Sequence, residues 1–370
     1  MTLFADRRER LWSKVHGEGI DALLITNPLN VTYLTGFSGE ATFLIASAEK
    51  MLLVSDGRFV EQLKEECPDM DAHIRPTGQT LHEAAGLVLS KFNARSVGYE
   101  SNHLTVAEFE TIRERVAGLD WKAGASRVET LRMVKDATEL GQIREAIEIA
   151  EKAFKAFRSG LLSEHTEKQM HDAMEHLVRR CGGKCTAFPT IAAVGARAAL
   201  PHAPPGQAKL ADAPFLLLDW GANGPFYKSD LTRVLWTRKP SESSGTDPLR
   251  AKLVEVHGVV MAARRAALEL MRPGVELQAI DTAARGAIHA AGYGEYFNHG
   301  LGHGFGLQIH EAPFMRPGNP MKLEAGMVVT LEPGIYLPGV LGVRIEDDIL
   351  ITPDGPEMLT HLPRGLDGDE

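Results

Sequence analysis

Several acidic side chains in this chain stand at the ends of apolar runs, where a solvated carboxylate has little reason to be. The run Phe215-Leu-Leu-Leu218 leads straight into Asp219, and Trp220-Gly-Ala-Asn-Gly-Pro225 follows. Such a run reads as a buried strand, and Asn223-Gly224 is a strong hairpin signal. The return strand, Phe226 to Trp236, carries Asp230. A turn centred between Gly224 and Pro225 sets Asp219 directly opposite Asp230, with Cβ atoms ~5 Å apart. Two carboxylates that close repel each other unless they share a proton, hold a cation between them, or lie solvated on an exposed edge. The arrangement recurs downstream. Val328-Val-Thr-Leu331 leads into Glu332, a turn at Pro338-Gly339 follows, and Val343-Arg344-Ile345-Glu346 returns. Glu332 and Glu346 then fall roughly opposite each other, and two such acid pairs in one region point to metal.

A nitrogen ligand is expected from the segment between the hairpins, Asn298-His299-Gly-Leu-Gly-His303-Gly-Phe-Gly-Leu-Gln-Ile-His310-Glu311. Glycines at 300, 302, 304 and 306 argue against a helix and for close approach of backbone to something. The segment lacks the Lys-Ser/Thr of a phosphate-binding loop, and its spacing is not the HExxH of a mononuclear zinc peptidase. Four carboxylates and an imidazole can hold two divalent cations, with two of the carboxylates bridging. So oxygen-rich a set suits Mn²⁺ first, with Co²⁺ or Zn²⁺ as alternatives, since no thiolate biases it towards zinc. Two cations ~3.5 Å apart would acidify a shared water to a hydroxide nucleophile.

These groups need a scaffold, and the chain has one. It holds 370 residues, 44% hydrophobic and 24% charged, enough to bury a substantial core and unlike a disordered chain, a coiled coil or a disulfide miniprotein. Against 49 acidic residues stand 40 basic ones, a net charge of -9, so neither nucleic acid nor an anionic membrane is an expected partner. Cys67, Cys181 and Cys185 are too few and too scattered for a disulfide framework. No segment reaches the ~20 apolar residues of a membrane span, and the charged start lacks a signal-peptide core, so a cytoplasmic location is expected.

Along the first ~130 residues, apolar runs at Ala22–Ile25, Thr42–Ile45, Met51–Val54 and Ser96–Tyr99 alternate with helical patterns at Leu81–Phe92 and Thr105–Val116. Asp56-Gly-Arg58 reads as a turn into a helix. An amphipathic helix is predicted from Asp136 to Leu162, followed by one opening at the capping box Thr166-Glu-Lys-Gln169. Pro248–Met271 and Glu276–Ala291 are two more, after a polar loop at Lys239–Asp247. The domain boundary is placed at residue 131/132, and no internal sequence repeat is evident.

With these residues in order, the chain resembles the pita-bread metallopeptidases: methionine aminopeptidase, aminopeptidase P and prolidase, with the metal-free creatinase as a relative. The strings that carry the resemblance are LLLDWGA around Asp219, YKSDLTR around Asp230, HGLGHGFGLQIHE around His303, LEPGIY at Glu332 and GVRIEDD at Glu346. Upstream, NPLNVTYLTGFSG (27–39) and DGRF (56–59) resemble the amino-terminal domain of the proline-specific branch. The resemblance implies an α/β two-domain protein, with an N-terminal α/β creatinase-like domain over 1–131 and a C-terminal α+β pita-bread catalytic domain over 132–370. It implies Asp219 on one metal, His303 and Glu332 on the other, and Asp230 and Glu346 bridging both. By motif it brings in His202, from Leu200-Pro201-His202, near the substrate. His299 and His310 would shape the proline pocket and move protons, Glu332 would also pass a proton, and Arg344 would support the site. The implied activity is hydrolysis of an Xaa-Pro bond at a peptide amino terminus or in a dipeptide, by a hydroxide bridging two cations, in a homodimer. A non-catalytic peptide-binding protein on the same fold, or a creatinase-like C–N hydrolase, is the rival reading; both usually lack the ligand set. Two positions depart from the family pattern. Gln308 stands where many relatives have Glu, and Arg197 where a small polar residue is usual.

Overall fold

The computed structural model describes residues 3–237 and 247–368, so the predicted polar loop at Lys239–Asp247 lies outside the described residues except for Asp247. The chain divides into two compact units, Met1–Arg132 and Met133–Glu370.

In the first unit a six-stranded mixed sheet runs in the order Asp71–Ile74, Met51–Ser55, Thr42–Ser47, Ala22–Ile25, Ser96–Glu100, Asp120–Gly124. The four inner strands are those the apolar runs predict. The two edge strands carry no apolar run and are largely exposed, so no hydrophobic pattern announces them. Helices Leu81–Leu89 and Val106–Arg113 each open with a capping box, Thr80 with Glu83 and Thr105 with Glu108. Asp56 does lead into a helix, its carboxylate accepting from the Arg58 backbone N–H before Val60–Glu66 begins.

The second unit opens with the helices Ala137–Ser159 and Glu167–Arg180. Asp136 and Thr166 sit just outside them as capping residues, satisfying the first free N–H groups. The helices Pro248–Leu268 and Leu277–Ala290 form the second pair. Between and after the pairs lie a three-stranded sheet centred on Phe215–Trp220 and a five-stranded sheet that includes Gly302–Gly304, Val328–Leu331 and Asp347–Thr352. Trp220 anchors the central strand. Its ring is fully buried and stacks on Phe154 at 4.7 Å, and its indole N–H donates to the Ala150 carbonyl. Burying a ring of that size contributes about 4–6 kcal/mol.

The first hairpin differs from its predicted register. The Gly224 N–H donates to the Tyr227 carbonyl, so Pro225 and Phe226 are the central turn residues, and Asp219 pairs with Thr232. Proline, with φ already near that of the first central position, centres the turn one residue later than expected, which moves each pairing partner by two residues. The paired return strand is Leu231–Trp236, so Asp230 lies one residue before it. A shift of two in the pairing keeps every side chain on its original face. Asp219 and Asp230 therefore remain on one face as diagonal neighbours. Gly221 makes room beside them, since a Cβ there would lie 1.9 Å from the Ser229 carbonyl oxygen.

In the second hairpin the outer pairs (Leu331 with Asp347) and the inner pairs (Gly334 with Arg344) share one register. Glu332 and Glu346 fall between them and face each other as predicted. The chain reverses at Gly339, whose φ of +72° favours glycine. An antiparallel bridge from Thr232 to Glu346 joins the two hairpins and brings the two acid pairs together.

Candidate metal centre

Asp230, His303 and Glu346 are buried, and each offers a ligand atom within 4.8 Å of the others. His303 Nε2 lies 3.6 Å from Asp230 Oδ2 and 3.5 Å from Glu332 Oε1. Its other nitrogen, Nδ1, is 3.1 Å from the Gly304 carbonyl. A carbonyl can only accept, so Nδ1 carries the proton and the Nε2 lone pair points at the carboxylates. Burial lowers the His303 pKa to about 4, which keeps the ring neutral and able to bind a cation.

Two threonines fix the acids. The Thr232 hydroxyl donates to Glu346 at 2.7 Å; the Thr330 hydroxyl accepts from the His303 backbone N–H at 3.0 Å and donates to Glu332 at 3.3 Å. Asp348 accepts from the Asp230 backbone N–H at 3.2 Å. Burial, then the neighbouring carboxylates, raises Asp230 and Glu346 well above the usual carboxylate range. Burial pushes Glu332 up to about 7. Asp219 Oδ1 is buried without a hydrogen-bond partner among the described residues. An orphaned carboxylate oxygen, a ring presenting a lone pair, and acids driven towards protonation by one another are the donor set a divalent cation satisfies. The residues present fit such ions.

Arg344 joins the centre to its surroundings. Its guanidinium donates to Asp219 Oδ2, to the Tyr336 hydroxyl at 2.7 Å and to the Thr232 hydroxyl at 3.1 Å. It also reaches the Pro201 carbonyl at 3.4 Å, next to His202. The Tyr336 hydroxyl lies 2.9 Å from His299 Nε2, while His299 Nδ1 faces the Gly300 carbonyl at 2.7 Å. His299 therefore donates from Nδ1 and accepts the tyrosine proton at Nε2. Burial, helped by Arg344, holds its pKa down to about 4, and the same burial raises Tyr336 to about 12. A buried chain of hydrogen bonds thus runs Asp219–Arg344–Tyr336–His299.

All nine sequence-predicted site residues (His202, Asp219, Asp230, His299, His303, His310, Glu332, Arg344 and Glu346) line a single cavity of 610 Å³. His202 and His310 are exposed at its surface, and burial and then His202 lower the His310 pKa. Tyr336, Thr232, Thr330 and Asp348 were not singled out from the sequence. Tyr336 lies inside the quoted LEPGIY string, but nothing local marks the threonines or Asp348 as partners of ligands. Arg197 and Gln308, the two departures, are not among the lining residues. Arg197 instead binds the buried Glu167 carboxylate at 2.8 Å and the Pro204 carbonyl at 2.7 Å, securing the loop that carries His202.

Residues 141–353 match the family profile described as metallopeptidase family M24, and residues 7–134 match the creatinase/prolidase N-terminal domain. An uncharacterized peptidase of Bacillus subtilis (strain 168) is 34% identical over 348 residues, covering 94% of this chain and 96% of its own. Among solved structures, a Xaa-Pro dipeptidase from Bacillus anthracis is similar at a TM-score of 0.90 and 32% identity, covering 98% of this chain and 99% of its own. An X-Pro aminopeptidase from Thermotoga maritima is similar at a TM-score of 0.86 and 33% identity, covering 97% and 99%.

Proposed function

Since the chain belongs to metallopeptidase family M24, with a creatinase/prolidase domain ahead of its peptidase domain, we propose that it hydrolyses the bond between an amino-terminal residue and proline, using two divalent cations, Mn²⁺ foremost. Its fold is a creatinase-like N-terminal domain followed by a pita-bread catalytic domain. Among the described residues no helix is long and apolar enough to cross a membrane. The observation that carries the reading is the convergence of Asp219, Asp230, His303, Glu332 and Glu346 on one cavity with Asp219 Oδ1 left unpartnered.

Asp219 would hold one cation, His303 and Glu332 the other, with Asp230 and Glu346 shared between them. When bound, the ions supply an acidified water and polarise the carbonyl before proline. The protein's own groups do the rest. Arg344 and Tyr336 hold Asp219 and His299 in fixed orientations. His299, with both nitrogens engaged, serves as a wall for the substrate. His202 and His310, open to the cavity, carry protons to and from the reacting amide, and burial, then His202, lowers the pKa of His310. Pro189, Pro201, Pro204, Pro205 and Phe188 give the cavity apolar sides for the proline ring and the residue before it.

The test is hydrolysis of Ala-Pro and Ala-Pro-Ala against Ala-Ala, with metal content measured on the same sample. Cleavage confined to the proline bond, in proportion to bound metal, is the expected result. A protein that holds its metal and cleaves Ala-Ala as readily would refute the proline assignment.

A further inference from the structure

One buried ion pair in the peptidase domain takes no part in the chemistry above. Lys135 Nζ donates to Glu311 Oε1 at 2.9 Å, and the two side chains are 0% and 4% exposed. Among the described residues Lys135 is the one buried lysine. Two charges taken out of water cost about what their attraction returns, so such a pair is a weak source of stability and a better means of fixing one conformation. Its place in the chain says which conformation. Glu311 directly follows His310 and opens the strand Glu311–Met315, which pairs with Gly302–Gly304. The segment 304–311 leaves His303 and returns at His310 by closing around the Glu311 carboxylate. Gln308 donates its backbone N–H to Glu311 Oε2 at 3.3 Å, and a Cβ on Gly306 would lie 2.6 Å from Oε1. The lysine end is held as firmly. Lys135 donates its backbone N–H to the Gly326 carbonyl at 2.8 Å, beside the bridge from Val134 to Met327, just before the strand Val328–Leu331 that leads into Glu332.

His310 needs such an anchor. Its ring meets the His303 ring edge-on with centres 4.5 Å apart, and among the described residues it makes no hydrogen bond or ion pair. Its place over the cavity is therefore set by the backbone beneath it. A proton carrier must keep its distance and direction to the reacting amide, and a misplacement of about 1 Å can cost about 100-fold in rate. Resting on the reading of His310 as a proton carrier in Xaa-Pro hydrolysis, we propose that Lys135 and Glu311 are positioning residues. Their ion pair ties the histidine segment to the frame of the metal centre and fixes the backbone from which His310 reaches the substrate.

The experiment measures kcat and KM on Ala-Pro and Ala-Pro-Ala, metal content and melting temperature. The proteins are metal-loaded wild type, Glu311→Gln, Lys135→Met/Glu311→Gln, His310→Ala and His310→Ala/Glu311→Gln. Glu311→Gln should lower kcat about 10- to 100-fold, with KM and metal content within about twofold of wild type. It should also lower the melting temperature, because it strands the lysine charge. Lys135→Met/Glu311→Gln removes that charge and should regain the melting temperature without regaining kcat. On the His310→Ala background, Glu311→Gln should cost less than about a further twofold, since residues that act through one group are not additive. Losses that multiply in the combined variant, metal lost in step with kcat, or wild-type turnover in either variant that keeps His310 overturn the assignment. Wild-type turnover in His310→Ala removes the proton carrier and the positioning role together. A metal-loaded wild type that cleaves neither peptide overturns the Xaa-Pro reading itself, and the positioning role with it.

Discussion

Removing the cations should invert how stability responds to pH between 6.5 and 8.5. In the stripped protein Glu332 has a folded pKa raised from 4.5 to about 7, chiefly by burial. A raised carboxylate pKa stabilises the fold fully below the unfolded value, and the contribution is lost as pH rises through the folded value. His299 and His303, lowered to about 4, act with the opposite sign, chiefly below their unfolded value of 6.5. Integrating the proton uptake of Glu332 alone gives a loss of about 1 kcal/mol from pH 6.5 to 8.5. Above pH 6.5 the two imidazoles still gain about 0.4 kcal/mol each, which offsets the loss from Glu332, so the net downward slope comes from Asp230 and Glu346. For a unit of this size each kcal/mol lost lowers Tm by about 2–4 °C. The loaded protein should behave oppositely, because cation binding requires ionised carboxylates and tightens as they deprotonate. Calorimetric melts in chelator and in excess Mn²⁺, at half-unit pH steps, read both slopes. A stripped protein whose Tm is flat or rising across this window would mean that the four carboxylates do not form one buried cluster, and the metal assignment would fall with it.

Four substitutions separate ligands from their neighbours. Asp230→Asn removes a charge the cations need, so metal occupancy by elemental analysis and kcat should collapse together; retained metal would exclude Asp230 as a ligand. His202→Ala and His310→Ala should keep full metal occupancy yet lose roughly 10²–10⁴-fold in kcat, the range for a positioned proton-transfer group. Near wild-type turnover in both would reduce them to loop residues. Tyr336→Phe strips the hydroxyl from between Arg344 and His299 and leaves buried polar groups without a partner, so urea unfolding should show a loss of about 1–3 kcal/mol; an unchanged midpoint would show that water replaces the hydroxyl.

Much of the site was legible because its signals are local. A carboxylate that ends an apolar run is conspicuous wherever the chain later goes, and Asp219, Glu332 and Glu346 all meet that description. Helix starts at Asp136 and Thr166 were readable for the same reason, since a capping side chain bonds N–H groups two or three residues ahead. The edge strands Asp71–Ile74 and Asp120–Gly124 were not, because an edge needs only a neighbour to pair with and little burial of its own.

The sequence by itself determined which residue types would be buried, where the hairpins lie, and on which face each acid stands. Those depend on alternation and turn chemistry, and even the misplaced turn left Asp219 and Asp230 on one face, because moving a turn by one residue shifts each pairing partner by two. Tertiary structure alone decided the partners. Arg344 stands two residues before Glu346 and three before Asp347, yet it pairs with Asp219, 125 residues away, and Asp347 is neutralised instead by Arg233, Arg264 and Arg364. Burying a charge is costly unless it finds an opposite charge or hydrogen bonds nearby. Which charge is nearby is settled only when distant strands pack together, as the Thr232–Glu346 bridge does here.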